Sequence, residues 1–163
     1  MKKPTNRSTK RYTQIINPLI NKHFPLLKKR NIRVKECPKL EFSADAFKLF
    51  SYLRIRTHPR LRAYSKNKLI SLFAHELSHL EDWERMSWFD YYVLRDFKKL
   101  FRSYRKSEEE KADKNVVKIG YAHELYAQRK SRWMDKNPKY VKHKWRYMSP
   151  EEIKGYAIKI GKW

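Results

Sequence analysis

The stretch "LFAHELSHLEDW", residues 72–83, limits what this chain can become more than any other. Leu69, Leu72, Phe73, Leu77 and Leu80 recur at the three- and four-residue steps of an amphipathic helix. Ser65 or Asn67 is placed to cap it, so a helix is expected from about Lys68 to Arg85. His75 and His79 stand four apart, and both imidazoles therefore leave the helix on one side, where they can meet at one point. Glu76 leaves it one residue further round. A chain with six His and eleven Glu produces H-E-x-x-H by chance in roughly one case per hundred.

Two neutral imidazoles suit Zn2+, and a catalytic zinc site keeps three protein ligands with one position open. Glu76 stands beside the ligands without being one, where a general base acting on a water molecule belongs. The third ligand is less direct. His23, His58, His123 and His143 remain, and none extends the motif: positions 82 and 85, where metzincins carry Gly and His, are Asp82 and Arg85. "EEKAD", residues 109–113, offers an acid instead. Glu109 can complete a site of two histidines and one glutamate, and Asp113, on the same helical face, can accept the free N–H of a ligand histidine, His75.

"HELSH" followed by "ExxAD" (Glu109, Ala112, Asp113) resembles the gluzincin clan of metallopeptidases, and within it the soluble minigluzincins, over roughly residues 50–130. The resemblance implies an α+β, zincin-like fold: a small mixed sheet packed on an active-site helix, with a second ligand-bearing helix behind. It implies a zinc-dependent endopeptidase with one Zn2+ per chain on His75, His79 and Glu109, Glu76 as base, and Asp113 supporting the ligands. It also implies that "SYLRIRT" is an edge strand, along which Tyr52, Leu53, Arg54 and Ile55 hold a peptide or protein substrate by strand addition. An oxyanion needs a donor, for which Tyr121, His123 and Tyr126 are candidates on the helix of Glu109. His123 ranks first among them as a catalytic residue.

Around these motifs, "NIRVKE" (31–36) alternates like a half-buried strand, and a helix in "TQIINPLINKHF" is interrupted or ended by Pro25. Residues 50–57 read as a strand, with a helix as the alternative, ended by His58-Pro59. Residues 86–106 are aromatic-rich and contain a further helical segment. From Ser107 a single long helix is expected, with acids in its first turn. Ser149, Pro150 and Glu152 mark a capped helix start.

The length suits one domain, 1–163, with a basic, flexible segment at 1–12 and a C-terminal segment, 139–163, that folds back over the cleft and keeps the enzyme latent as a zymogen. One cysteine excludes an internal disulfide framework. No apolar run approaches the roughly 18 residues of a membrane span and no secretory signal is present, so a cytoplasmic protein is expected. The net charge of +23 leaves an alternative open: a nucleic-acid-binding protein, either a DNA-associated SprT-like protease or a non-catalytic zinc module. "KYVKHKWRYM" (139–148), read as a strand or basic arm, mixes the cations and rings that single-stranded nucleic acids require.

Overall fold

A computed structural model describes residues 6–134 and 141–163. Its fold is α+β, mostly helical, with one three-stranded mixed sheet. The chain divides into two compact units, Met1–Glu84 and Arg85–Trp163. None of the described helices is long and apolar enough to cross a membrane.

The first unit begins with α1 (Asn6–His23). This helix occupies part of the segment expected to be flexible: Tyr12 and Ile16 are buried, and Arg11 donates to the carbonyls of Arg62 and Tyr64. Its end follows from Pro25. A residue before proline avoids the α region, and Phe24 lies outside it at φ −124°, ψ 74°. Three strands follow, β1 (Ile32–Glu36), β2 (Ala44–Leu49) and β3 (Tyr52–Thr57). Their order is β1-β3-β2, with β3 parallel to β1 and antiparallel to β2.

Two expectations change here. The strand read over 50–57 begins at Tyr52, because Phe50 and Ser51 form the two-residue loop of a β2–β3 hairpin. Phe50 sits at φ 49°, a conformation bulky side chains rarely adopt, and the loop lacks the Asn-Gly or Asp-Gly pair that announces such turns. Moreover, β3 is the central strand. Ile32 to Glu36 pair with Leu53 to Thr57 on one side, and Ala44 to Leu49 pair with Thr57 to Tyr52 on the other. Its backbone donors and acceptors are engaged in both ladders, so Tyr52, Leu53, Arg54 and Ile55 do not form an edge for strand addition. Leu53, Ile55 and Thr57 point into the core, and Tyr52, Arg54 and Arg56 take the other face. His58 then caps a short 3-10 helix (Pro59–Ala63) by accepting the Arg60 N–H.

The helix α2 (Lys66–Arg85) starts where Ser65 accepts the Lys68 N–H. Leu69, Phe73, Leu77 and Leu80 are fully buried, as their spacing requires, and Phe73 meets Tyr12 edge-on at 5.4 Å. Glu81 is also buried. It accepts the N–H of Leu26 at 3.3 Å, serving the start of the turn Pro25–Leu27 where Phe24 supplies no side-chain cap.

The second unit is helical. A π-type turn (Asp90–Leu94) leads into α3 (Arg95–Lys98), then α4 (Arg102–Lys118), α5 (Ala122–Trp133) and α6 (Pro150–Lys159). The single helix expected from Ser107 is therefore two. Gly120, at φ 95°, ends α4: its N–H bonds the Val117 carbonyl while the Tyr121 N–H bonds that of Val116, a Schellman closure. Because α4 starts at Arg102, its acids lie beyond the first turn. The strand expected at 139–148 does not form over its described part. Lys144–Arg146 are a 3-10 turn, and Lys139 and Tyr140 lie outside the described residues. At α6 the capping box of Ser149 and Glu152 is present as expected.

Candidate metal centre

On α2, His75, His79 and Trp83 follow one another at four-residue steps. Trp83 is buried and stacks on the His79 ring, with centroids 5.7 Å apart and planes 23° from parallel. His75 is buried and His79 half-buried. Their Nε2 atoms lie 3.2 Å apart, with ring centroids 4.8 Å apart and planes 85° from parallel.

Those distances discriminate between two arrangements. Rings facing head-on across an N–H···N bond of this length would have centroids about 5.5 Å apart. Two Nε2 atoms that share one ion at about 2.0–2.1 Å, near the tetrahedral angle, stand about 3.3 Å from each other with centroids about 5.2 Å apart. The observed pair is closer to the second arrangement. Its two nitrogens lie side by side next to the helix. Glu76, one position along from His75, is a buried carboxylate with 6% of its surface exposed.

In the second unit, Glu109 and Asp113 lie one turn apart on α4, Glu109 half-buried and Asp113 fully buried. Asp113 is held from two directions. Its Oδ1 accepts from Arg129 Nη2 of α5 at 2.6 Å, and its Oδ2 accepts from the Met148 N–H at 3.1 Å, just ahead of α6. Burial would push the Arg129 guanidinium down, but the adjoining Asp113 charge, Tyr147 and the hydrogen bond outweigh it and hold it above its usual value. The Tyr147 ring lies under the same guanidinium at 4.3 Å. The motif singled out Asp113 as an acceptor for His75 and gave no sign of Arg129, whose partner is sixteen residues away on another helix.

The ligand atoms of His75, His79 and Glu109 all lie within 4.8 Å of one another, so these three form a group that could hold a metal ion. The donor set, two imidazole nitrogens and one carboxylate oxygen, fits Zn2+. His123 is placed differently from its expectation. It belongs to α5 rather than to the helix of Glu109, is exposed, and packs on Trp163 with centroids 4.4 Å apart. Tyr126 meets the same Trp163 edge-on, and Tyr121 stands at the start of α5. The described part of the C-terminal segment is core of its own unit, with Met148, Ile153 and Ala157 buried.

No protein-family model, curated protein or solved structure matches this chain.

Proposed function

We propose that this chain is a zinc-dependent peptidase of zincin type, with His75, His79 and Glu109 as ligands and Glu76 as general base. The observation that carries the reading is the close approach of the two Nε2 atoms, 3.2 Å apart on one side of α2. When bound, the ion would supply Lewis acidity and bring a water molecule to a pKa of about 7. The protein's own groups do the rest. Trp83 keeps the His79 ring from turning, which holds its nitrogen on the shared point. Glu76, on the helix that carries both imidazoles, takes up a proton and returns it to the departing amine. Asp113, held by Arg129 and Met148, sets the face of α4 on which Glu109 stands.

Among the described strands, a peptide held by strand addition can pair at β1 or β2, since β3 is occupied on both sides. The nucleic-acid reading draws less support: Trp145, the ring that was to stack on bases, already carries Arg102 and Arg146 against it, at 4.2 and 5.3 Å. His123 has no role in this proposal.

Zinc content per chain after dialysis against metal-free buffer tests the reading, with Glu109→Ala and Glu76→Gln beside the parent. One zinc is expected in the parent and in Glu76→Gln, and weak or no binding in Glu109→Ala. Peptide hydrolysis should fall by about 100-fold or more in Glu76→Gln, the usual range for a lost general base. A folded parent that cannot be loaded with zinc would remove the proposal.

A further inference from the structure

Residues 88–98 run as one helical stretch through the π-type turn into α3. Its polarity is reversed. A surface helix ordinarily turns charge outward and apolar groups inward. Here Tyr91 and Arg95 are the buried pair, with the Arg95 guanidinium 5.2 Å above the Tyr91 ring and bonded to Glu108 at 2.8 Å. Phe89, Val93 and Phe97, four apart, face outward together with Trp88, Leu100 and Phe101. Trp88 is 63% exposed, Phe97 61% and Leu100 71%. Single exposed apolar residues need no explanation, but six within fourteen positions form a patch of the kind that marks an interaction surface.

We propose that this face rests on the surface of an anionic lipid bilayer. Charge selects the occupant. Besides the buried Arg95, which Glu108 already partners, Lys98, Lys99, Arg102, Arg105 and Lys106 stand between Trp88 and Lys106 against Asp90 and Asp96. Lys98 and Arg102 are exposed beside the apolar patch. A second copy would bring another chain of formal charge +23 to the same place and be repelled. Anionic headgroups are attracted by the same charges, within about one Debye length of the surface. The residue types fit the depth as well: Trp88 and Tyr92, tilted against each other at 5.5 Å, are amphipathic rings of the kind enriched at the membrane–water boundary. The helical stretch is far too short to span, so it lies in the interface with Phe89, Val93, Phe97 and Leu100 entering the acyl boundary. This inference does not depend on the metal centre.

The test uses the full chain and sucrose-loaded vesicles, either phosphatidylcholine alone or with about 30% phosphatidylserine, a strongly anionic surface. Sedimentation is read at low salt and at about 1 M salt, where the Debye length falls to about 3 Å. The expected result is sedimentation with anionic vesicles that partly survives high salt. The pair Phe97→Ser and Leu100→Ser, both exposed and neutral, should lower partitioning at least tenfold, as the loss of two inserted side chains requires. Trp88→Phe should remove the vesicle-induced blue shift of tryptophan emission. Equal partitioning of the serine pair at both salts would reduce the effect to diffuse attraction and overturn the proposal. A parent that stays in solution would overturn it too, as would a self-associated parent that the serine pair dissociates and that ignores vesicles. Unchanged circular dichroism of the serine pair shows that a loss is not unfolding.

Discussion

Arg62 reaches Glu36 with 42% of its own side chain still exposed, whereas Arg129 meets Asp113 with the two side chains 3% and 0% exposed. Each compact unit thus has a carboxylate–guanidinium pair, and they are built for different tasks. In the first unit the arginine lies in the 3-10 helix before α2 and its carboxylate ends β1, so the pair ties a loop to the sheet. The helix beyond is held by apolar burial of Leu69, Phe73, Leu77 and Leu80. In the second unit the pair is itself interior. With the Met148 N–H it joins α4, α5 and the start of α6, among the smaller apolar side chains Ala112, Val116 and Val117. The placing of His75 and His79 on one side follows from their four-residue spacing on α2. Glu109, the proposed third ligand, stands one turn of α4 from a polar joint, and polar joints fail when half is removed.

The largest effect is therefore expected at Arg129. Arg129→Met should destabilise the fold by about 3–5 kcal/mol, because it leaves Asp113 ionised in the interior without its partner. Adding Asp113→Leu should restore most of that, measured by urea denaturation. If the double variant is as unstable as the single one, the joint is worth more than an apolar pair and the contrast sharpens. Next comes Ile153→Ala, expected to cost about 2–4 kcal/mol, since the residue is fully buried in its unit. A near-neutral result would mean that α6 is peripheral, and the view of the C-terminal segment as a removable cover would return.

The smallest effect is expected at the pair whose arginine is exposed, Arg62–Glu36. Hydrogen bonding from Arg62 holds the Glu36 carboxyl below its usual range. A depressed carboxylate contributes its stability above the unfolded pKa of about 4.3 and loses it as pH falls through the folded value. Thermal midpoints from pH 7 down to about 3 should therefore fall less steeply in Glu36→Gln than in the parent. Parallel profiles would show that water already screens the pair out of the balance.

Local pattern carried some of this in full. The α2 stripe, its Ser65 cap, the β1 alternation, the capping box at Ser149 and the four-residue steps from His75 to His79 and from Glu109 to Asp113 are set by one helix turn or one strand repeat. They survive any tertiary arrangement. Features that depended on a distant partner were hidden. The hairpin at Phe50 has no turn signature, and Gly120 reads as a tolerated helix glycine until its positive φ is seen. Glu81 reads as a misplaced charge until the Leu26 N–H arrives fifty-five residues away.

The sequence by itself determined that two imidazoles would share one side of a helix and that an acid pair would share one face of another, because side-chain direction on a helix follows from spacing alone. Only the tertiary structure decided that β3 is central rather than an edge, that His123 faces Trp163, and that Asp113 is joined to Arg129 and Met148. It also decided that the Phe89 face turns outward. Strand order, helix breaks and buried ion pairs are all contacts between residues far apart in the chain. Their energies depend on burial and pairing that no local window contains.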